Sequence, residues 1–192
     1  MSYEPSRLLA RLIELRLVEQ LVPVTEHPER TRRRIYRIAD NYLAFWLGRV
    51  ERYRSQVERG LGKPVARLLE SELDDAMGAP WEAAFRSHLV RLVTMEEFRG
   101  DIVALGPWWN GRSAVEIDAV GLAGRARTPV LFGEAKWAQS VDAGALARSL
   151  ERKADNVPGV TENRTYVVAA RTHVREAPEG VVPITAADIF AV

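Results

Sequence analysis

Residues 115–137, VEIDAVGLAGRARTPVLFGEAKW, hold two alternating apolar runs joined by a short polar turn. Successive side chains leave a strand on opposite faces, so this pattern predicts two half-buried strands. What constrains the chain most is the charge they carry: Glu116 and Asp118 on the first strand, Glu134 and Lys136 on the second. Ionised groups leave water at a high cost unless they are paired or bound to a metal. Glu116 and Asp118 share a face, as do Glu134 and Lys136, while Leu131, Ala135 and Trp137 point the other way. With the strands adjacent, Asp118 and Glu134 lie side by side with Lys136 next to them. Two bare carboxylates that close repel each other, and one would take a proton. A divalent cation resolves the conflict, since magnesium favours one or two carboxylates plus waters and a phosphate oxygen.

The surrounding pattern supplies a fold. PWEAAFRSHLVRLVTMEEF places Trp81, Ala84, Phe85, His88, Leu89, Leu92 and Val93 on one helical face, with Pro80 in the first turn. Strands follow at 98–106, 113–121 and 129–136, separated by PWWNGR and AGRART. DAGALARSLERKADNV reads as a helix, RTYVVAA as a buried strand, and VVPITAADIF as a short strand and terminal helix. The expected class is α/β in the α+β sense: an αβββαβ core with a mixed sheet over residues 79–192. Residues 1–78 read differently. A helix at 5–18 precedes a hairpin with strands at Val22–Val24 and Ile35–Ile38, linked by the polar TEHPERTRRR. This is the back half of a winged helix, without its first two helices. A helix at 40–58 capped by Asp40 or Asn41, and a short one at 64–77, connect it to the core. The aromatic stripe Tyr42, Phe45, Trp46 and Tyr53 reads as packing before base stacking.

The residues EID and GEAKW, 16 positions apart from Asp118 to Glu134, resemble the Asp…Glu-x-Lys signature of the PD-(D/E)XK nucleases. The αβββαβ order, restriction-endonuclease-like, agrees. That resemblance implies a metal-dependent nuclease-like domain that hydrolyses phosphodiester bonds in nucleic acid, with DNA the expected substrate. It implies Asp118 and Glu134 as ligands of Mg2+ or Mn2+ and Lys136 as the residue that positions water or stabilises the transition state. Glu82, in WEAAF, is the position matching the helical glutamate that often completes such sites. YRIADNYLAFW, WEAAFRSHL, PWWN…EIDAV and GEAKW, in that order, also resemble the C-terminal region of a group of archaeal and bacterial AAA-type ATPases. This implies an ATPase partner or a fused ATPase core. ATP hydrolysis is not expected of this chain, because RGLGKPVARLL has Pro64 where a phosphate loop needs Ser or Thr.

The alternatives are a structural ion-pair network, or a nuclease-derived domain that binds DNA or regulates an ATPase without catalysis. Glu116 reads as a surface residue or supporting ligand, and Glu82 as a ligand or an ordinary helix glutamate. His88 falls on an apolar stripe and reads as a core histidine; His27 and His173 fall in expected loops. Trp108 and Trp109 read as packing, and Gln139 and Ser140 could line a cleft. The net charge of +1 is uneven: residues 1–63 hold 13 Lys/Arg against 8 Asp/Glu. Within that basic third Arg30, Arg32, Arg33 and Arg34 could grip phosphates in a salt-dependent way or form a solvated wing tip. Only 3 of the 27 basic residues are lysine, which makes a lysine inside a site notable. The chain has no cysteine, no run long enough to span a membrane and no signal-peptide pattern, so a cytoplasmic location is expected.

Overall fold

The computed structural model describes residues 7–98, 101–111 and 115–191. The expected helix start at Pro5, and the expected strand residues 99–100 and 113–114, lie outside these. The chain forms two compact units. One comprises the chain up to Leu21 with Arg34–Met77; the other comprises Val22–Arg33 and the chain from Gly78 onward.

The first unit opens with α1 (Arg7–Glu14), β1 (Val18–Leu21) and β2 (Ile35–Ile38), the strands pairing antiparallel with Val18 opposite Ile38. A helical run follows. It comprises α2 (Asn41–Phe45), a π turn at Trp46–Val50, a 3-10 turn at Glu51–Tyr53 and α3 (Arg54–Glu58). Asp40 caps α2, accepting a hydrogen bond from the Leu43 N–H at 2.7 Å. Then come α4 (Gly62–Ser71) and α5 (Leu73–Ala76). Glu72 receives Arg49 at 3.1 Å and Arg52 at 2.6 Å, tying the helical run to the end of α4. Val65 is the sole buried hydrophobic side chain among this unit's described residues.

The second unit is built on one sheet. Helix α6 (Gly78–Thr94) leads into β3 (Ile102–Trp109), β4 (Glu116–Ala123) and β5 (Thr128–Ala135). β6 (Ser140–Asp142), α7 (Ala143–Ala154), β7 (Thr165–Ala169), β8 (His173–Arg175), β9 (Val181–Ile184) and α8 (Ala186–Phe190) complete it. The order β3-β4-β5-β7-β9 runs antiparallel through β5 and parallel beyond, a mixed five-stranded sheet. The protein is thus α+β. β6 and β8 form a separate parallel pair, which places His173 in a strand and not in a loop.

Both sheet faces are covered. Trp81, Phe85, Leu89, Ala119, Leu131, Ala135, Val167 and Ile184 form one core beneath α6 and α8. Ile117, Val120, Leu122, Phe132, Leu150, Ala154 and Val157 form the other beneath α7. On α6 the buried Trp81, Phe85, His88 and Leu89 recur at helical spacing, the stripe the sequence predicts. Gly133 is required by close approach: a Cβ there would sit 2.8 Å from the ring of Phe85. Gly124, at φ +62°, turns the chain between β4 and β5.

The strand expected at Val22–Val24 is not formed. β1 stops at Leu21, and Pro23 offers no N–H with which to continue a ladder. Val24 instead donates its N–H to the Pro107 carbonyl at 2.9 Å, on the outer edge of β3, and accepts from Arg127 at 3.0 Å. The segment thereby caps the edge strand β3 at Pro107. Trp108 and Trp109 are 2% and 7% exposed and are packing residues. Among the described residues no helix is long and apolar enough to cross a membrane.

Candidate active site

β4 and β5 pair with Ala119 opposite Gly133. One step further along this register, Asp118 faces Glu134. The expected juxtaposition follows directly from strand adjacency. Asp118 Oδ2 accepts the backbone N–H of Ala135 at 2.8 Å, which fixes its carboxylate against β5. Arg86, from α6, donates to the Asp118 carbonyl at 2.9 Å and pins the strand end.

Glu134 is the buried member, 4% exposed. Lys136 lies 2.6 Å from its Oε1. A second lysine, Lys153 of α7, reaches both of its oxygens, at 2.8 and 2.7 Å. The Lys136 side chain is 47% exposed against 27% for Lys153, so Lys136 faces the open side of the site. Glu82, on α6, is half-exposed, lies 3.8 Å from Arg86 and acts electrostatically on both Asp118 and Lys136. Glu116 is exposed at the start of β4.

The charges leave a signature. Burial, then the charge of Glu134, pushes the Asp118 carboxyl up to about 6, against the opposing Ala135 hydrogen bond and Lys136. Burial pulls the Lys136 ammonium down, but its hydrogen bond to Glu134 and the nearby carboxylates outweigh this, and its pKa is raised. Asp118 and Glu134 can therefore offer oxygen ligands to a hard cation, while Lys136 can meet an anion. Among the described residues no group of three or more His, Cys, Asp or Glu side chains is placed to hold a metal ion. Any cation would rest on the Asp118–Glu134 pair with water completing its shell.

Lys153 is absent from the sequence reading, although a signal exists. Leu146, Leu150, Lys153 and Val157 recur at helical spacing, so a lysine interrupts an apolar stripe. It is also one of only 3 lysines in the chain.

The four arginines of the loop do not act together. Arg30 and Arg32 are exposed. Arg33 is paired with Glu26 and donates to the Trp109 carbonyl at 3.2 Å, fastening the loop beside β3. Arg34 belongs to the other unit, just before β2. If the loop meets nucleic acid, Arg30→Ala and Arg32→Ala should each lower the slope of log affinity against log salt by about 1. Arg33→Ala should instead cost about 1 kcal/mol of stability, read in a thermal melt.

His88 is a core histidine: it is 7% exposed, Arg91 lies 2.8 Å from its Nδ1, and burial followed by Arg91 lowers its pKa. His27 is exposed, and its Nδ1 accepts the Glu29 N–H at 3.3 Å. Gln139 accepts from the Thr172 hydroxyl at 2.7 Å, and Ser140 begins β6.

No curated protein matches the chain, and no solved structure matches it. A family described as archaeal and bacterial proteins of unknown function, DUF234, matches residues 46–151, more than half of the chain, and the chain belongs to that family.

Proposed function

We propose that the second unit is a metal-dependent nuclease-like domain of the PD-(D/E)XK type, hydrolysing phosphodiester bonds in nucleic acid, with DNA as the expected substrate. The observation that carries this reading is that Asp118 is held against β5 by the Ala135 N–H and feels the charge of Glu134, with Lys136 next to Glu134. The donor set fits a hard divalent cation, since two neighbouring carboxylates leave negative charge at Asp118, whose pKa is raised to about 6. Asp118 and Glu134 would hold Mg2+ or Mn2+, with Glu82 close enough to add its charge. The cation would supply polarisation of a phosphoryl oxygen and a bound water of lowered pKa. The chain's own groups do the rest. Ala135 N–H and Arg86 hold Asp118 in place. Lys136 offers an ammonium group to the attacking water or to charge developing on the phosphate. A cytoplasmic location goes with this reading.

The test is cleavage of labelled single- and double-stranded DNA and RNA with Mn2+, Mg2+ or EDTA. The native chain is expected to cut only with metal, and Asp118→Ala and Lys136→Ala to lose at least about a hundredfold in rate. Cleavage that survives both substitutions would exclude the site.

A second reading is a non-catalytic DNA-binding or regulatory module of an AAA-type ATPase. The observation favouring it is the closed arrangement at Glu134, whose oxygens already meet two ammonium groups. The partial winged-helix order of α1, β1 and β2 is in keeping with it. Binding of labelled DNA at low salt without cleavage would select it.

A further inference from the structure

We infer that Lys153 is the resident counter-charge of Glu134 and competes with a divalent cation for that carboxylate. The inference rests on the nuclease reading for the cation and on geometry alone for the lysine. Glu134 is almost fully enclosed, so its carboxylate needs a cation in every state of the protein. Lys136 and Lys153 both supply one, in different ways. Lys136 approaches one oxygen from the next strand position and stays half-exposed. Lys153 spans both oxygens at 2.8 and 2.7 Å from the other layer of the fold. The chain is anchored on either side of it by the buried Leu150, Ala154 and Val157. Asp142 caps the helix start, accepting the Ala145 N–H at 2.7 Å.

Lys153 is therefore a positioning residue. It holds Glu134 with no metal present and leaves Lys136 free to turn toward a phosphate. A divalent cation arriving between Asp118 and Glu134 meets an ammonium group already seated on Glu134. The two positive charges repel across a poorly solvated gap, and the metal binds more weakly than the carboxylate pair alone would allow.

Two measurements separate this from the nuclease reading itself. The first is Mn2+ binding by the full chain, followed by the electron paramagnetic resonance of free Mn2+, with no nucleic acid added. Lys153→Met keeps most of the length of the side chain and removes the charge; with the repulsion gone it should bind Mn2+ about tenfold more tightly than the native chain. Lys153→Arg, which keeps the charge, should stay near the native affinity. Equal or weaker binding by Lys153→Met would overturn the competition. The second is a double-mutant cycle in thermal unfolding with Lys153→Met and Glu134→Gln. The destabilisation from Lys153→Met should largely vanish when Glu134 is already glutamine. Additive effects would overturn the counter-charge role whatever the metal does. Strong coupling with no Mn2+ bound by either protein would reject the metal reading, and the competition with it.

Discussion

Asp118→Asn is expected to make the protein more stable at pH 7 and to abolish the proposed metal-dependent cleavage. The carboxyl is raised from 3.8 to about 6, first by burial and then by Glu134. A carboxyl raised on folding stabilises the fold while it is protonated, fully so below about pH 3.8. That contribution is lost as pH climbs through about 6. At neutral pH the native chain therefore carries an ionised Asp118 at a cost of up to about 3 kcal/mol. Asparagine has nearly the same shape, and its amide oxygen can still accept the Ala135 N–H. The gain should be about 2–3 kcal/mol, or roughly 4–12 °C in melting temperature for a chain of this size. At pH 3.5 the two proteins should melt together. Melts at both pH values check this. A loss of stability at pH 7 would mean that Asp118 is a favourable ion-pair member and carries no uncompensated charge.

Phe85→Ala is expected to produce the largest loss of stability. The ring is 0% exposed and lies over Gly133, the residue preceding Glu134. Removing it leaves a cavity between α6 and the centre of the sheet, at a cost of about 3–5 kcal/mol. Gly133→Ala attacks the same contact from the other side and should cost about 1–3 kcal/mol by overpacking. Urea denaturation followed by circular dichroism measures both. Because β5 carries Glu134, either change should also slow the proposed cleavage. A cost below about 1 kcal/mol for Phe85→Ala would mean that the helix can collapse onto the strand.

Local periodicity makes much of this architecture legible in the sequence. The stripe on α6, the three antiparallel strands, α7 and the parallel return through β7 all follow from apolar spacing. So does the meeting of Asp118 with Glu134 once β4 and β5 are neighbours, because strand alternation then sets the two carboxylates side by side. The boundaries were less clear: β3, β4 and β5 are offset by up to about four residues from the expected ranges. Three features depended on contacts between distant segments. Val24 reads as a strand residue of its own hairpin, but it bonds to β3, far along the chain. Arg33 reads as an exposed cation, and only the docked loop shows that Glu26 and Trp109 claim it. Lys153 lies 19 positions from Glu134, with a helix start between them. The apolar stripe marks the face of that helix that meets the sheet, but nothing local shows that the lysine within it meets Glu134. β6 and β8 hold three residues each, too few for alternation to register.

The nuclease reading rests on an under-compensated charge at Asp118, beside Glu134, that a divalent cation relieves. The most direct measurement is a carboxylate carbon NMR titration of Asp118 in the native chain and in Glu134→Gln, each with and without Mg2+. Asp118 is expected to titrate near 6 in the native chain, lower in Glu134→Gln, and lower again in the native chain when Mg2+ is added. Titration at the ordinary value of 3.8, unmoved by either change, would contradict the claim.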